Sequence, residues 1–338
     1  MKVDGGLLAA SLAEVPARAR ALEEAGYDGL LSVETSHDPF LPLAVAAEHT
    51  ERIELGTSIA VAFARNPMTM AQVANDVQAA SGGRLLLGLG SQVRAHVEKR
   101  FSMPWSHPAA RMREFILAMR AIWAAWNDRE KLDFRGEFYR HTLMTPFFDP
   151  GPNPHGAPKV LLAAVGERMT EVAGEVADGV ILHGFTTERY VREVTLPALE
   201  RGFAAGGRSR ASFQVTGPLF VVTGRTDEET ESAARAVKQQ IAFYGSTPAY
   251  RPVLELHGWG DLSGELNRLS KEGRWVEMGE LIDEEMLATF AVSGPYEAIP
   301  GLLRRRYGDV VDRVSVYAPY EVDAPRWAAM LAGFHEES

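Results

Sequence analysis

Short, continuously apolar runs alternate with longer runs of helical period from one end of the chain to the other. This alternation constrains the fold more than any other feature of the sequence. The apolar runs predict strands at Lys2–Leu8, Gly29–Val33, Ile53–Val61, Arg84–Gly90, Lys159–Val165, Gly179–Leu182, Phe213–Thr223 and Arg313–Tyr317. LLLGLG, KVLLAAV and GVIL carry no polar alternation, the pattern of strands covered on both faces in a parallel sheet. Helix punctuation falls between them. Ala13–Ala25 stops at Gly26, and Asn66-Pro67 opens a helix that ends near Gly82-Gly83. Met112, Phe115, Ile116, Met119, Ile122, Trp123 and Trp126 share one helical face. Thr226 followed by three acidic residues opens another helix, running to about Tyr244.

Eight strands in strict alternation with helices give the count of an α/β fold of the (β/α)8 TIM-barrel type, with a doubly wound open sheet as the alternative. A barrel needs roughly 250 residues, so a chain of 338 predicts one domain over 1–338 with excursions at about 126–158 and 240–286. The first excursion is rich in aromatic residues, Pro and Gly; the second is polar, with helical pieces. The absence of cysteine excludes disulfides, thiolate metal sites, iron–sulfur clusters and a cysteine nucleophile. A formal charge of −10 argues against a nucleic-acid partner. No apolar run approaches a membrane span and MKVDGGLL lacks a leader's apolar core, so a soluble cytoplasmic protein acting on a small molecule is expected.

In a barrel the chemistry lies on the loops after the strands. Those loops carry Glu34-Thr35-Ser36-His37-Asp38, Ala62–Asn66, Ser91–His96, Gly166-Glu167-Arg168, His183-Gly184 and Ala318-Pro319-Tyr320. Asp38-Pro39 reads as a helix cap followed by proline in the first turn. His37 is either a proton-handling residue or a rim histidine bonded to a neighbouring carbonyl. His96, near Arg94, is open to the same two readings, and His183 reads as a satisfied core or rim histidine. Gly166 between a strand and a helix permits an anion site on backbone amides, with Arg168 on the first turn, or an ordinary tight turn.

Other matches fail on inspection. Gly88-Leu89-Gly90-Ser91-Gln92-Val93 imitates a dinucleotide fingerprint but has Val93 where the third glycine belongs. Gly56-Thr57-Ser58-Ile59-Ala60 lacks the last glycine of a serine-hydrolase elbow. No histidine pair has zinc spacing and no acidic cluster has EF-hand spacing, so no metal is expected.

The chain resembles the bacterial luciferase-like flavin monooxygenase superfamily, and within it the branch using the deazaflavin coenzyme F420. The residues that carry this are Glu24-Ala25-Gly26-Tyr27-Asp28-Gly29, Ser36-His37-Asp38, Leu55-Gly56-Thr57-Ser58-Ile59, Arg65-Asn66-Pro67, Ser81–Gly90, Phe134–Tyr139, Leu162–Gly166 and Ala177-Asp178-Gly179. Val292-Ser293-Gly294-Pro295 extends it more weakly toward the C-terminus.

The resemblance implies an isoalloxazine-type ring bound at the carboxyl ends of the barrel strands. Ser36, His37 and Asp38 would line the ring pocket, Ser58 and Ile59 would back the ring through a cis peptide bond, and Ser91 and Gln92 would flank it. Val165, Gly166, Glu167, Arg168 and Met169 would surround the phosphate, with Arg65, Arg94 and Arg168 as cations for the anionic tail. His37 would handle the substrate proton, with His96 in reserve, because imidazole titrates nearest neutral pH. Gln92 and Val93 stand where sugar-phosphate dehydrogenases of the family carry a catalytic glutamate, and Leu43 stands in place of their tryptophan. Sugar-phosphate oxidation is therefore not implied. The expected activity is F420-dependent oxidoreduction of a small organic substrate. The alternatives are an FMN-dependent monooxygenase and a non-catalytic flavin-binding relative. Relatives of this kind pair through helices beside strands two and three, which implies a homodimer.

Overall fold

The computed structural model describes residues 1–335. Its barrel strands are β1 (Lys2–Gly6), β2 (Gly29–Ser32), β3 (Glu54–Thr57, resuming as Ala60–Val61) and β4 (Leu85–Gly90). They continue with β5 (Lys159–Ala163), β6 (Gly179–Ile181), β7 (Gln214–Val222) and β8 (Arg313–Tyr317). Each strand pairs in parallel with the next, and β8 returns to β1 through Lys2↔Arg313, Val3↔Val314 and Asp4↔Ser315. The sheet is therefore closed, a (β/α)8 barrel rather than an open doubly wound sheet.

Helices α1 (Val15–Glu24), α2 (Phe40–Ala47), α3 (Pro67–Ala80), α4 (Pro108–Asn127), α5 (Glu167–Val176), α6 (Leu196–Gly206), α7 (Asp227–Gly245), α8 (Ile299–Tyr307) and α9 (Ala324–Ala332) surround it. Local chemistry explains their limits. Asn66 accepts the Thr69 amide with Pro67 at the first helical position of α3, and Thr226 accepts the Glu229 amide at the start of α7. The seven apolar residues expected on one face of α4 are all buried, and Trp123 donates to the Ala71 carbonyl of α3 at 3.1 Å. Burying side chains of this size contributes roughly 1.5–3 kcal/mol each.

Three short strands depart from the sequence reading. The run expected as one strand over Ile53–Val61 is interrupted at Ser58-Ile59, whose peptide bond is cis. Phe134–Arg135 and Arg140–His141 form a hairpin whose turn is held by Glu114, which accepts the Glu137, Phe138 and Tyr139 amides. A Cβ at Gly136 would lie 2.0 Å from that carboxylate, which is why the turn carries glycine. Ala291–Ser293 adds beside the outer end of β7.

Residues 240–286 complete α7 and continue as short helices at Arg251–Leu256, Gly260–Glu272 and Trp275–Glu280, with a fourth beginning at Glu284. They bury a cluster of their own around Phe185, Tyr190, Phe220, Ile241 and Leu266, seated against the ends of β6 and β7. No helix among the described residues is long and apolar enough to cross a membrane.

Candidate active site at the barrel mouth

Side chains alternate between the two faces of a strand, so each barrel strand sends every second residue inward. At the floor, the Arg313 guanidinium reaches both Asp4 oxygens, at 2.8 and 2.5 Å, and Glu54 at 2.6 Å. Above this ion cluster lies a small cavity of about 20 Å³ walled by Leu31, Leu86, Leu161, Ile181, Pro218 and Ser315. Leu86, Leu161 and Ile181 form an apolar layer against which Ile59 and Ala163 pack, both of them half-buried at the mouth. The same alternation carries His183 (two past Ile181) and Tyr317 (two past Ser315) inward at the mouth.

The glycines of β4 have a packing reason. A Cβ at Gly88 would stand 1.9 Å from the Thr57 carbonyl oxygen, and one at Gly90 would stand 2.8 Å from the Ile59 side chain. They belong to the close approach of β3 to β4, not to a phosphate loop.

The expected site residues divide into two groups. On the lip after β2, Asp38 accepts the Phe40 and Leu41 amides through one oxygen and Arg65 through the other, at 2.8 Å. Arg65 also holds both oxygens of the buried Glu34 carboxylate, at 2.9 and 2.7 Å. It is therefore shared between two carboxylates of the preceding loop. Arg94 is likewise tied to Glu98 at 3.0 Å. Arg100 donates to the Thr35 carbonyl and links this lip to the segment after β4. Ser36 and His37 are exposed, and neither side chain has a partner among the described residues; His96 is exposed one turn into the helix Arg94–Lys99. The Ser91 hydroxyl and the Gln92 side chain both bond locally, to the Gln92 carbonyl and the Val93 amide.

The second group lies after β5. Gly166 caps α5 with no side-chain bond, and its carbonyl accepts the Met169 and Thr170 amides at 3.1 Å. The Gly166, Glu167 and Arg168 amides have no partner among the described residues. The Glu167 carboxylate is drawn away to Arg201 at 2.8 Å, and Arg168 has no partner among the described residues. This end of α5 opens on a cleft of about 520 Å³ bordered by His107, Gly166, Glu167, Arg168, Met169 and Tyr190. Tyr190 donates to the Val165 carbonyl at 3.1 Å and fixes the turn. Three amides and a guanidinium without partners among the described residues, at the positive end of a helix dipole, are groups suited to an anion.

Sequence reasoning missed a third group. His183 lies 4.4 Å from the Tyr250 ring and 4.6 Å from the Tyr244 ring, and Tyr317 stacks on Phe220 at 4.8 Å. The Tyr244 and Tyr317 hydroxyls are 3.1 Å apart. Burial pushes the His183 imidazole down to about 4 and pushes the Tyr244 and Tyr250 hydroxyls up, so all three rings are uncharged at neutral pH. The period-two step from Arg313 through Ser315 to Tyr317 was the available signal. Tyr244 and Tyr250 come from the excursion, whose path the sequence does not state.

His183 gives the fold a pH slope. Its folded value lies below its unfolded 6.5, so the unfolded chain binds the proton better. The stability it leaves intact above pH 6.5 is lost as the pH falls toward 4. Between pH 7 and pH 5 the stability of the wild type should fall by about 2 kcal/mol more than that of His183→Gln. Urea denaturation at both pH values measures this, and parallel curves would refute it.

A closed parallel barrel with groups suited to an anion and a polar, aromatic mouth at its strand carboxyl ends has the layout of a barrel enzyme. The chain belongs to the luciferase-like monooxygenase family, whose family model matches residues 1–313, and it is an oxidoreductase. It is 59% identical over 314 residues to the uncharacterized protein Rv1360 of Mycobacterium tuberculosis, covering 93% of this chain and 92% of that one. It is 29% identical to the putative coenzyme F420-dependent oxidoreductase Rv3520c of the same organism, over 82% of this chain and 83% of that one. Among solved structures it resembles the coenzyme F420-dependent tetrahydromethanopterin reductase of Methanopyrus kandleri. The TM-score is 0.78 at 20% identity, covering 98% of this chain and 96% of that one.

The donor set fits a phosphate-bearing flavin-type cofactor. The start of α5 suits an anion, and the Ile59–Ala163 surface above the apolar layer suits a flat ring.

Proposed function

We propose that this chain is a coenzyme F420-dependent oxidoreductase that transfers hydride between the deazaflavin and a small organic substrate. The observation that carries this reading is the uncapped start of α5, where three amides and Arg168, without partners among the described residues, border a cleft. Gly166, Glu167 and Arg168 would hold the phosphate with Val165 and Met169 as walls, and Ile59 and Ser58 would lie behind the ring. Ser36, Asp38, Ser91 and Gln92 would border it. When bound, the deazaflavin supplies or accepts a hydride. The protein's own part is to exclude water from the ring face, hold the substrate and move one proton. His37, exposed and unpartnered, is proposed to exchange that proton with solvent, and His96 is the reserve.

Fluorescence titration of the apoprotein with F420 and with FMN tests the reading. F420 should bind at least about tenfold more tightly, a difference of 1.4 kcal/mol. Preference for FMN would turn it to the monooxygenase alternative, and binding without turnover of any donor to a non-catalytic relative.

We also propose a homodimer. Leu41 on α2 is exposed, while Met68 and Val73 on α3 are only half-buried, which leaves apolar surface beside β2 and β3. Light scattering at micromolar concentration should return twice the 37.0 kDa chain mass; the monomer mass would dismiss it.

A further inference from the structure

We infer that His183, Tyr244 and Tyr317, with the ring of Tyr250, form a substrate site for a neutral, flat ketone or aldehyde whose oxygen is held by hydrogen-bond donors. This deepens the function proposed above and rests on it for the hydride.

The site's placement follows from the strand register. Tyr317 ends β8 and His183 follows β6, each two residues beyond a residue that lines the barrel interior, Ser315 and Ile181. Those two strand ends are in contact, since a Cβ on Gly184 would lie 3.3 Å from the Tyr317 ring. The excursion then lays Tyr244 and Tyr250 against His183. The four rings are only partly buried, although a second row comprising Phe185, Phe220 and Phe290 backs them. Partly exposed ring faces at a barrel mouth, supported from behind, offer a flat molecule a surface to stack on.

The polar atoms of this surface are donors. The Phe185 amide donates to His183 Nδ1 at 3.0 Å, so the neutral ring carries its proton on Nε2, which has no partner among the described residues. Gln240 also hydrogen-bonds Tyr244, and with Tyr244 donating to Tyr317 the Tyr317 hydroxyl keeps a proton to give. An oxygen acceptor that gains negative charge during reaction is the group such donors stabilise.

The same surroundings reject a charged substrate. The cations of the adjoining segments are spent: Arg189 on Glu193, Arg192 on Glu188 and Asp309, Lys238 on Glu284, and Arg251 on Glu255. A phosphate or carboxylate placed among these rings would lose water and gain no counter-charge.

The step balances as a two-electron reduction. The reduced deazaflavin gives a hydride to the carbonyl carbon and is itself oxidised. The carbon–oxygen π pair moves onto the oxygen, where the Tyr and His183 donors hold it, and a proton relayed by His37 completes the alcohol.

Acetophenone, a neutral flat ketone, and glucose 6-phosphate, a charged control, serve as probes. Their dissociation constants are read by ligand-observed NMR on the apoprotein, and turnover is read with reduced F420. Acetophenone should bind at least about tenfold more tightly than glucose 6-phosphate. Tyr317→Phe and Tyr244→Phe, which keep the ring stacking, should each weaken acetophenone about tenfold and leave F420 affinity within about twofold. His183→Gln should behave like the tyrosine variants. Unchanged acetophenone binding in both tyrosine variants, or tighter binding of the sugar phosphate, would overturn the assignment even where F420 binds normally. Acetophenone binding that depends on Tyr317 in a chain that takes no F420 would uphold the site and remove the cofactor reading.

Discussion

Replacing Arg313 by leucine is expected to cost the fold about 3–5 kcal/mol, the loss typical of removing one partner from a buried ion pair. Arg313 and Asp4 are each 1% exposed in their side chains, and the guanidinium makes two bonds to Asp4 besides the one to Glu54. With the cation gone, the Asp4 carboxylate would sit at the barrel floor without its main partner, where burial already pushes its proton affinity up. The floor leaves little room for relaxation: a Cβ at Gly29 would stand 2.4 Å from Asp4 Oδ1 and 2.7 Å from Arg313 Nη2. The double variant Asp4→Leu/Arg313→Leu removes both charges and should recover much of the loss, because two apolar groups carry no desolvation penalty. Urea denaturation of the single and double variants checks both statements. A loss below about 1 kcal/mol in Arg313→Leu would show that the pair is expendable.

This floor cluster illustrates what the sequence could and could not convey. The barrel was legible because continuously apolar runs and helix-period runs alternate outside the two excursions, and a buried parallel strand needs no polar partner to announce it. Arg313 at the head of its strand was visible, but Asp4 and Glu54 lie 309 and 259 positions away, and only closure of the barrel brings them together. The uncapped start of α5 was similarly half-visible. Gly166 marked a turn, while the release of Arg168 depends on Glu167 turning to Arg201, a contact across two helices. Arg65 was visible as a rim cation, but its pairing with Glu34 and Asp38, on a loop that precedes it by about thirty residues, was not. The strands at Phe134–Arg135, Arg140–His141 and Ala291–Ser293 were missed because two or three residues carry no measurable period.

Gly166→Asp should abolish F420 binding, with a loss of at least about a hundredfold, and should do so without destabilising the chain. Gly166 has φ −83° and ψ 153°, an extended N-cap conformation open to any residue, and a Cβ there would meet nothing within 4 Å. Aspartate is among the best N-cap residues, so its carboxylate would accept the free amides of the first turn and favour the helix by about 1 kcal/mol. Those amides are the groups proposed to hold the phosphate, and the new charge would repel it by about 4 kcal/mol at 4 Å with an effective dielectric constant of 20. Gly166→Ala separates charge from bulk: it adds the Cβ without the carboxylate and should keep F420 affinity within about threefold. Arg168→Ala, which removes one cation and leaves the amides, should fall between them, at about tenfold. Fluorescence titration gives the three affinities, and a thermal melt of each variant shows whether the fold is retained. Wild-type affinity in a well-folded Gly166→Asp chain would place the cofactor's anion elsewhere and remove the observation on which the proposed function stands.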